Sequence, residues 1–318
     1  MRLALIYRQD FPFYSGHHFD NTLYNFYFKA LKRSPSMTVS YHPFTYNEGF
    51  DVSNINADAL LVCENPLVLP RYFRAIENFG KPVIVRVGDP HGYSPMISPY
   101  KYLPDYCFGF YSQNLFYKYF PRTLRYKMIV HGLEPSLYQN VAPFETRIKD
   151  RILNSGRTAQ FPEFVSRLMG LRNPGLNAWT FYRLRTLCNR LPYVDYTETW
   201  KHEYVGDRYP ELLTKYRAAI AATTTNASAK YWEIPAASCL TFMEVTERNE
   251  AALLGFKDGE TAVFVNEDNY KRRFEEYLAH SDDARWEEIA LAGRAYAMES
   301  FSNDRAVEQL VDLILHAR

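Results

Sequence analysis

Lys230, Glu233 and Pro235 stand together in one short segment, KYWEIPAASCLTFME over residues 230–244. Proline suits the first turn of a helix, where its missing N–H would have been unpaired anyway. The segment therefore predicts a short helix over 235–238 feeding an apolar strand over 239–243. Glu233 and Lys230 would lie beside the helix start, where backbone N–H groups and the macrodipole favour anions. A nucleotide fits that chemistry, with the amides and Lys230 on its phosphates and Glu233 on its paired ribose hydroxyls. The plain alternative for Glu233 is a surface carboxylate that caps a helix.

A second anion-ready geometry is Ser155-Gly156-Arg157, a glycine turn between a predicted strand and a predicted helix. Such turns also occur without a ligand. From Arg157 to Arg190 there are six arginines (157, 167, 172, 183, 185 and 190) and one acid, Glu163. Arginine makes bidentate phosphate contacts. A solvated basic helix face accounts for most of the six, and Arg157 is the one placed in the turn.

Three further groups fall at strand ends, where open α/β sheets bind ligands. Gly16 in Ser15-Gly-His-His-Phe-Asp20 permits close backbone approach, so His17, His18 and Asp20 could face an acceptor. The two histidines have no third ligand at metal spacing, and no metal is expected. In Gly88-Asp-Pro-His-Gly92, Asp89 or His91 could deprotonate an acceptor hydroxyl; the same residues also make an ordinary turn. His131-Gly-Leu-Glu134 closes the sixth strand, again as a site or a turn. The stretch 117–127 mixes aromatics with four basic residues and reads as a solvated helix face, with an anionic lipid or polymer surface as the alternative.

The elements that must position these groups alternate. Strands are expected over 3–7, 38–42, 59–63, 82–87, 107–111 and 127–130, with helices over 22–32 and 70–79. A second set has strands over 151–154, 218–222, 239–243 and 262–265, helices over 164–169 and 180–189, and three closing helices. Strands alternating with helices imply βαβ units and parallel sheets. Trp286, Ala290, Gly293, Ala297 and Phe301 share a helical period and should form one buried face. The aperiodic stretch 134–145, with two prolines, reads as a linker.

With 318 residues, 47% of them apolar, the chain suits two domains. A formal net charge of +1 argues against a protein built to grip nucleic acid. The four scattered cysteines, with no C-x-x-C pair, read as free thiols in a reducing compartment. No run approaches the ~18 apolar residues of a membrane span. Residues 1–8 are a first strand rather than a signal peptide. A soluble, cytoplasmic protein is expected. The 26 tyrosines and 22 phenylalanines would also suit carbohydrate stacking.

Residues 230–240 resemble the K-[YF]-[FW]-E-[IV]-P-A-x-G segment of bacterial glycosyltransferases related to the spore-maturation CgeB group, within the group 1 glycosyltransferases. Residues 206–221, 254–264 and 289–295 resemble the flanking segments in the same order. The resemblance implies an α/β fold of the GT-B type, two Rossmann-like domains facing across a cleft. Residues 1–140 would hold the acceptor and 141–318 the nucleotide sugar, the last helix packing back on the first domain. It implies Glu233, Lys230 and Tyr231 on the donor side and His131 lining the cleft; the strand-end readings add Ser155, Gly156 and Arg157 to the donor side and Gly16, His17, His18 and Asp20 to the acceptor side. The implied reaction moves a sugar from a nucleoside-diphosphate donor to a hydroxyl acceptor, saccharide, lipid-linked, protein or modified nucleobase, without metal or cofactor. A nucleotide-sugar epimerase and a non-catalytic binding protein are the alternatives. Two positions depart from the pattern. Thr225 stands where many retaining relatives carry glutamate, and Ser238 where glycine is usual.

Overall fold

The computed structural model describes residues 1–9, 26–63, 72–88, 104–172, 177–197, 203–204 and 206–317. Two compact units divide the chain, Met1–Gly132 with Asn303–Arg318, and Leu133–Ser302.

The first unit is built on strands β1 (Arg2–Arg8), β2 (Thr38–Phe44), β4 (Ala59–Val62), β6 (Val83–Arg86), β7 (Tyr106–Gly109) and β8 (Tyr126–Met128). They form one parallel sheet in the order β2-β1-β4-β6-β7-β8. Strand side chains alternate between faces, and a parallel sheet buries both. Leu3, Leu5, Leu61 and Ile84 accordingly enter one core, with Phe26, Tyr27 and Leu31. Ala4, Ile6, Leu60 and Val85 enter another, with Phe44, Phe73 and Phe116. The final helix, Asn303–His316, covers the first of these cores with Ala306, Val307, Leu310, Leu313 and Ile314.

The helix expected over 70–79 does not form across its described part. Phe73–Arg74 is instead a short strand, β5, paired with β3 (Phe50–Asp51), and a 3₁₀ turn follows at Ile76–Asn78. Ala75 between them is left-handed, with φ 60°. Burial of Phe73 and Ile76 in the second core overrides the helical propensity of the stretch. Within 117–127, Phe116 stacks on Phe120 and Tyr126 while Lys118, Arg122, Arg125 and Lys127 are exposed. The stretch is solvated as the sequence suggests, but its helix ends at Tyr119 and β8 begins at Tyr126.

The second unit holds strands β9 (Ile148–Ser155), β10 (Val194–Thr197), β11 (Tyr216–Ala221), β12 (Leu240–Glu244) and β13 (Val263–Val265). They are parallel, in the order β10-β9-β11-β12-β13. The stretch expected to link two domains belongs to this unit. Tyr138 is fully buried, and its carbonyl accepts a bond from Arg294 at 2.5 Å. The long helix Ala284–Phe301 buries Trp286, Ala290, Gly293, Ala297 and Phe301, the face its period predicts. Gly293 is required by space, since a Cβ there would meet the Thr261 carbonyl oxygen at 2.4 Å. Cys107, Cys188 and Cys239 are buried, Cys63 partly so, and all four are free thiols.

Candidate functional site

Both sheets are doubly wound, and in such sheets ligands settle beyond the carboxyl ends of the strands where the order reverses. In the second unit that point lies between β9 and β11. β9 ends in Asn154 and Ser155 and turns at Gly156, whose φ of 104° suits glycine and whose N–H bonds the Thr197 carbonyl at 3.0 Å. β11 ends at Ala221 and leads through 222–226 into the helix Lys230–Ala236.

This helix corrects the expectation for Pro235. The proline lies in the last turn, not the first. The N–H of Tyr231 bonds Ser228 and that of Glu233 bonds Ala229, so the helix is already formed when it reaches Lys230. Three residues follow Glu233 before the helix ends at Ala236, and the proline's missing N–H costs a single bond. The anion-ready helix start thus falls away at Pro235. What replaces it is a pair of side chains, Lys230 and Glu233, three residues apart and hence on neighbouring positions of one helix face.

Lys230 reaches across to β9. Its Nζ is 3.0 Å from Ser155 Oγ and 3.2 Å from Tyr209 Oη, and the two hydroxyls are 2.6 Å from one another. Burial lowers the Lys230 pKa to about 7; the buried Arg185 guanidinium lowers it further and Glu233 opposes the shift. Tyr209 is pushed upward by burial and then by the Glu233 carboxylate.

Arg185 is the site residue that sequence reasoning placed among solvated arginines. It is buried, and it spans the strand-order reversal. Nη1 donates to the Arg157 carbonyl at 3.3 Å and Nη2 to the Ala222 carbonyl at 2.6 Å, while Nε has no hydrogen-bond partner among the described residues. Its own carbonyl accepts from Asn154 Nδ2 at 3.1 Å. A sequence signal existed: Arg185 shares a face with Ala178 and Cys188, two turns back and one turn on, both buried. Arg157, expected to point at a phosphate, is exposed and contributes its carbonyl to Arg185.

Tyr231, expected at the donor, is fully buried with its hydroxyl engaged by the fold. It accepts from the Thr223 N–H at 3.1 Å and from Asn249 Nδ2 at 3.2 Å, and donates to the Glu244 carbonyl at 3.0 Å. Its work is to hold the loop after β11. That loop is also pinned to the helix Ala178–Cys188, which is kinked at Tyr182. The Thr224 N–H bonds the Phe181 carbonyl at 2.9 Å, and Thr224 Oγ1 accepts from the Arg183 N–H at 3.1 Å. Thr225, in place of the glutamate of retaining relatives, bonds Asn226 Oδ1 at 3.1 Å. Glu244 closes β12 as a second buried carboxyl. Burial raises its pKa to about 7 against the pull of Arg185, and Oε2 has no partner among the described residues.

Ser238 explains the second departure from the glycosyltransferase segment. It takes the left-handed conformation, φ 50°, that a glycine would take freely, and its buried hydroxyl has no partner. Ser238→Gly should therefore raise stability by about 1 kcal/mol, read as a higher urea midpoint at unchanged slope.

His131 is fully buried among the rings of Phe26, Tyr27, Phe108 and Phe110 in the first unit. Its Nδ1 lies 3.0 Å from the Ile129 carbonyl, and burial lowers its pKa to about 3, so the ring is neutral. Gly16, His17, His18, Asp20, Asp89 and His91 lie outside the described residues. Among the described residues, no group of three His, Cys, Asp or Glu side chains could hold a metal ion, and no helix is long and apolar enough to cross a membrane.

The architecture is the GT-B fold, two Rossmann-like domains in one chain. Similar solved structures are glycosyltransferases of that fold. HepE of Anabaena, in complex with UDP and glucose, is 10% identical with a TM-score of 0.61, covering 98% of each chain. A glycosyltransferase of Rickettsia africae is 10% identical with a TM-score of 0.60, covering 99% of this chain and 98% of that one. The sucrose-phosphate synthase of Thermosynechococcus elongatus is 9% identical with a TM-score of 0.60 over the same shares. No protein-family model and no curated protein sequence matches the chain.

Proposed function

We propose that the chain is a glycosyltransferase that moves a sugar from a nucleoside-diphosphate donor to a hydroxyl acceptor. The observation that carries this reading is the gathering of half-buried Lys230 and buried Arg185 with buried Glu233 at the strand-order reversal of the second unit. Among the described residues neither cation makes a direct ion pair, Glu233 acting on Lys230 only through its field, and a diphosphate would supply the matching charge. Glu233 takes the ribose hydroxyls, and exposed Arg157 meets the diphosphate from the solvent side. HepE binds UDP and glucose, and a uridine donor is the simplest assignment here.

In the reaction, the bond from the sugar's anomeric carbon to the diphosphate oxygen breaks and the acceptor oxygen bonds that carbon. The diphosphate leaves with the electron pair, and Lys230 and Arg185 stabilise the charge that develops on it. With the charge met by side chains, the step requires no divalent metal. If the enzyme inverts, the acceptor proton goes to Asp89 or His91, with His17, His18 and Asp20 beside the acceptor. Thr225 leaves the retaining route without its usual glutamate. The resemblance of residues 230–240 supports a place in the CgeB-like group, and the free thiols suit the cytoplasm.

Thermal unfolding tests the donor site. UDP or UDP-glucose, with a chelator present, should raise the melting temperature, and ligand at about 100 times its dissociation constant should stabilise by about 2.7 kcal/mol. No shift with any nucleotide at millimolar concentration removes the reading. Incubation with donor alone separates the alternatives: an epimerised sugar marks an epimerase, and intact donor in the presence of every acceptor class marks a binding protein.

A further inference from the structure

The helix Glu163–Arg172 is inside out. Its one buried residue is Ser166, with Met169 and Gly170 half-buried beside it. Its large apolar residues face the other way. Phe164 is 72% exposed, Leu168 50% and Leu171 82%, joined by exposed Val165 and by Phe161 from the preceding turn. At about 100° per residue, the four helical ones, Phe164, Val165, Leu168 and Leu171, fall on one continuous stripe opposite Ser166 and Gly170, and Phe161 precedes it in the chain. They are five of the nine exposed large hydrophobic residues of the described chain, gathered within eleven positions. Single exposed apolar residues are ordinary, but a contiguous patch of this kind marks a contact surface.

The charge around the stripe decides what the contact is. Exposed Arg167 borders the stripe on one side of the helix, and exposed Arg172 lies at its C-terminal end. The nearest acid, Glu163, is spent on two arginines, with Arg167 Nη2 at 2.7 Å and Arg183 Nη1 at 2.8 Å. A second copy of this surface would bring arginines against arginines across a two-fold axis, which costs energy. An anionic lipid surface meets both halves of the pattern. Acyl chains take the aromatic and leucine side chains, and headgroup phosphates take the guanidinium groups. We infer that the helix Glu163–Arg172, with Phe161, docks the protein on anionic membranes, lying in the plane of the interface. This inference rests on the surface alone and stands apart from the sugar-transfer reading.

Sedimentation of the full-length chain with sucrose-loaded vesicles tests it. Vesicles of equimolar phosphatidylcholine and phosphatidylglycerol should carry the protein down, while pure phosphatidylcholine should not. Phe164→Ser with Leu171→Ser should weaken partitioning about tenfold or more. Arg167→Gln with Arg172→Gln should weaken it most at low salt and so flatten its salt dependence. All four positions are exposed, so unchanged melting temperatures will show that the variants fold. Binding that is absent, or equal in the apolar double variant, overturns the inference. So does a concentration-dependent dimer, formed without lipid and abolished by Phe164→Ser with Leu171→Ser, because the stripe then belongs to a second copy.

Discussion

Lys230→Met should lower turnover with a nucleotide sugar by roughly 10²–10³-fold, the loss typical of one preorganised charge-stabilising donor. The expectation follows from where Nζ sits. It is held by Ser155 and Tyr209, two neutral partners, so its charge is available to an incoming diphosphate. The same geometry predicts a pH dependence. The folded pKa of about 7 lies below the ordinary lysine value. Below pH 7 the free protein already carries the proton and affinity is level. Above it the free site is neutral, and donor binding must first take up a proton. Affinity should then fall by up to about tenfold per pH unit between pH 7 and about 8.5. For the unliganded fold the sign reverses. The unfolded chain holds this proton up to its ordinary lysine pKa, so the group's contribution to stability rises as pH increases above 7. Calorimetry in buffers of different ionisation enthalpy should show proton uptake on binding. Lys230→Arg, which does not titrate here, should bind with a flat profile. A wild-type affinity independent of pH over that range would mean that Lys230 does not meet the diphosphate.

Glu233→Gln should weaken nucleotide binding by roughly 1.5–3 kcal/mol, about ten- to hundredfold, with the fold retained. The substitution keeps the side chain's size on the Lys230–Ala236 helix and removes its charge. A carboxylate accepting from two ribose hydroxyls makes charge-assisted bonds, each stronger than a neutral one. A deoxyribonucleotide should bind the wild type poorly and discriminate less against the variant, and a cycle over the two proteins and two ligands isolates the contact. The variant should also lower the Tyr209 hydroxyl pKa, because the Glu233 carboxylate is one of the groups that raise it. If the variant binds both nucleotides as the wild type does, Glu233 is a structural carboxylate.

The sequence made most strands legible because parallel strands are buried on both faces and appear as short apolar runs, such as 59–62 and 83–86; the less buried edge strand 194–197 escaped it. It also made the buried face of the last long helix legible, since five residues on one period have few other uses. It misplaced the helix around Glu233 because proline is allowed in both the first and the last turn, and only the backbone bonds of 228–233 decide between them. Arg185 stayed hidden for a different reason. Six arginines in one stretch look alike in sequence. The one that matters is distinguished by two carbonyls, of Arg157 and Ala222, that only the folded sheet brings within its reach. Tyr209 was missed on the same ground, since its partner Ser155 lies on a strand formed 54 residues earlier.

The final helix, Asn303–His316, completes a core that begins with Leu3 and Leu5. Chain order and folding order are therefore inverted. As the polypeptide emerges during synthesis, the second unit is contiguous and can close as soon as Ser302 is out, because domains fold as units. The first unit, though made earliest, must wait with one face of its sheet only partly covered, by Phe26, Tyr27 and Leu31, until residues 306–314 arrive. Its closure joins segments about three hundred positions apart, the kind of long-range contact that slows folding. The slow step in the biogenesis of this protein should thus belong to its oldest part, and that part is where a chaperone would be needed longest.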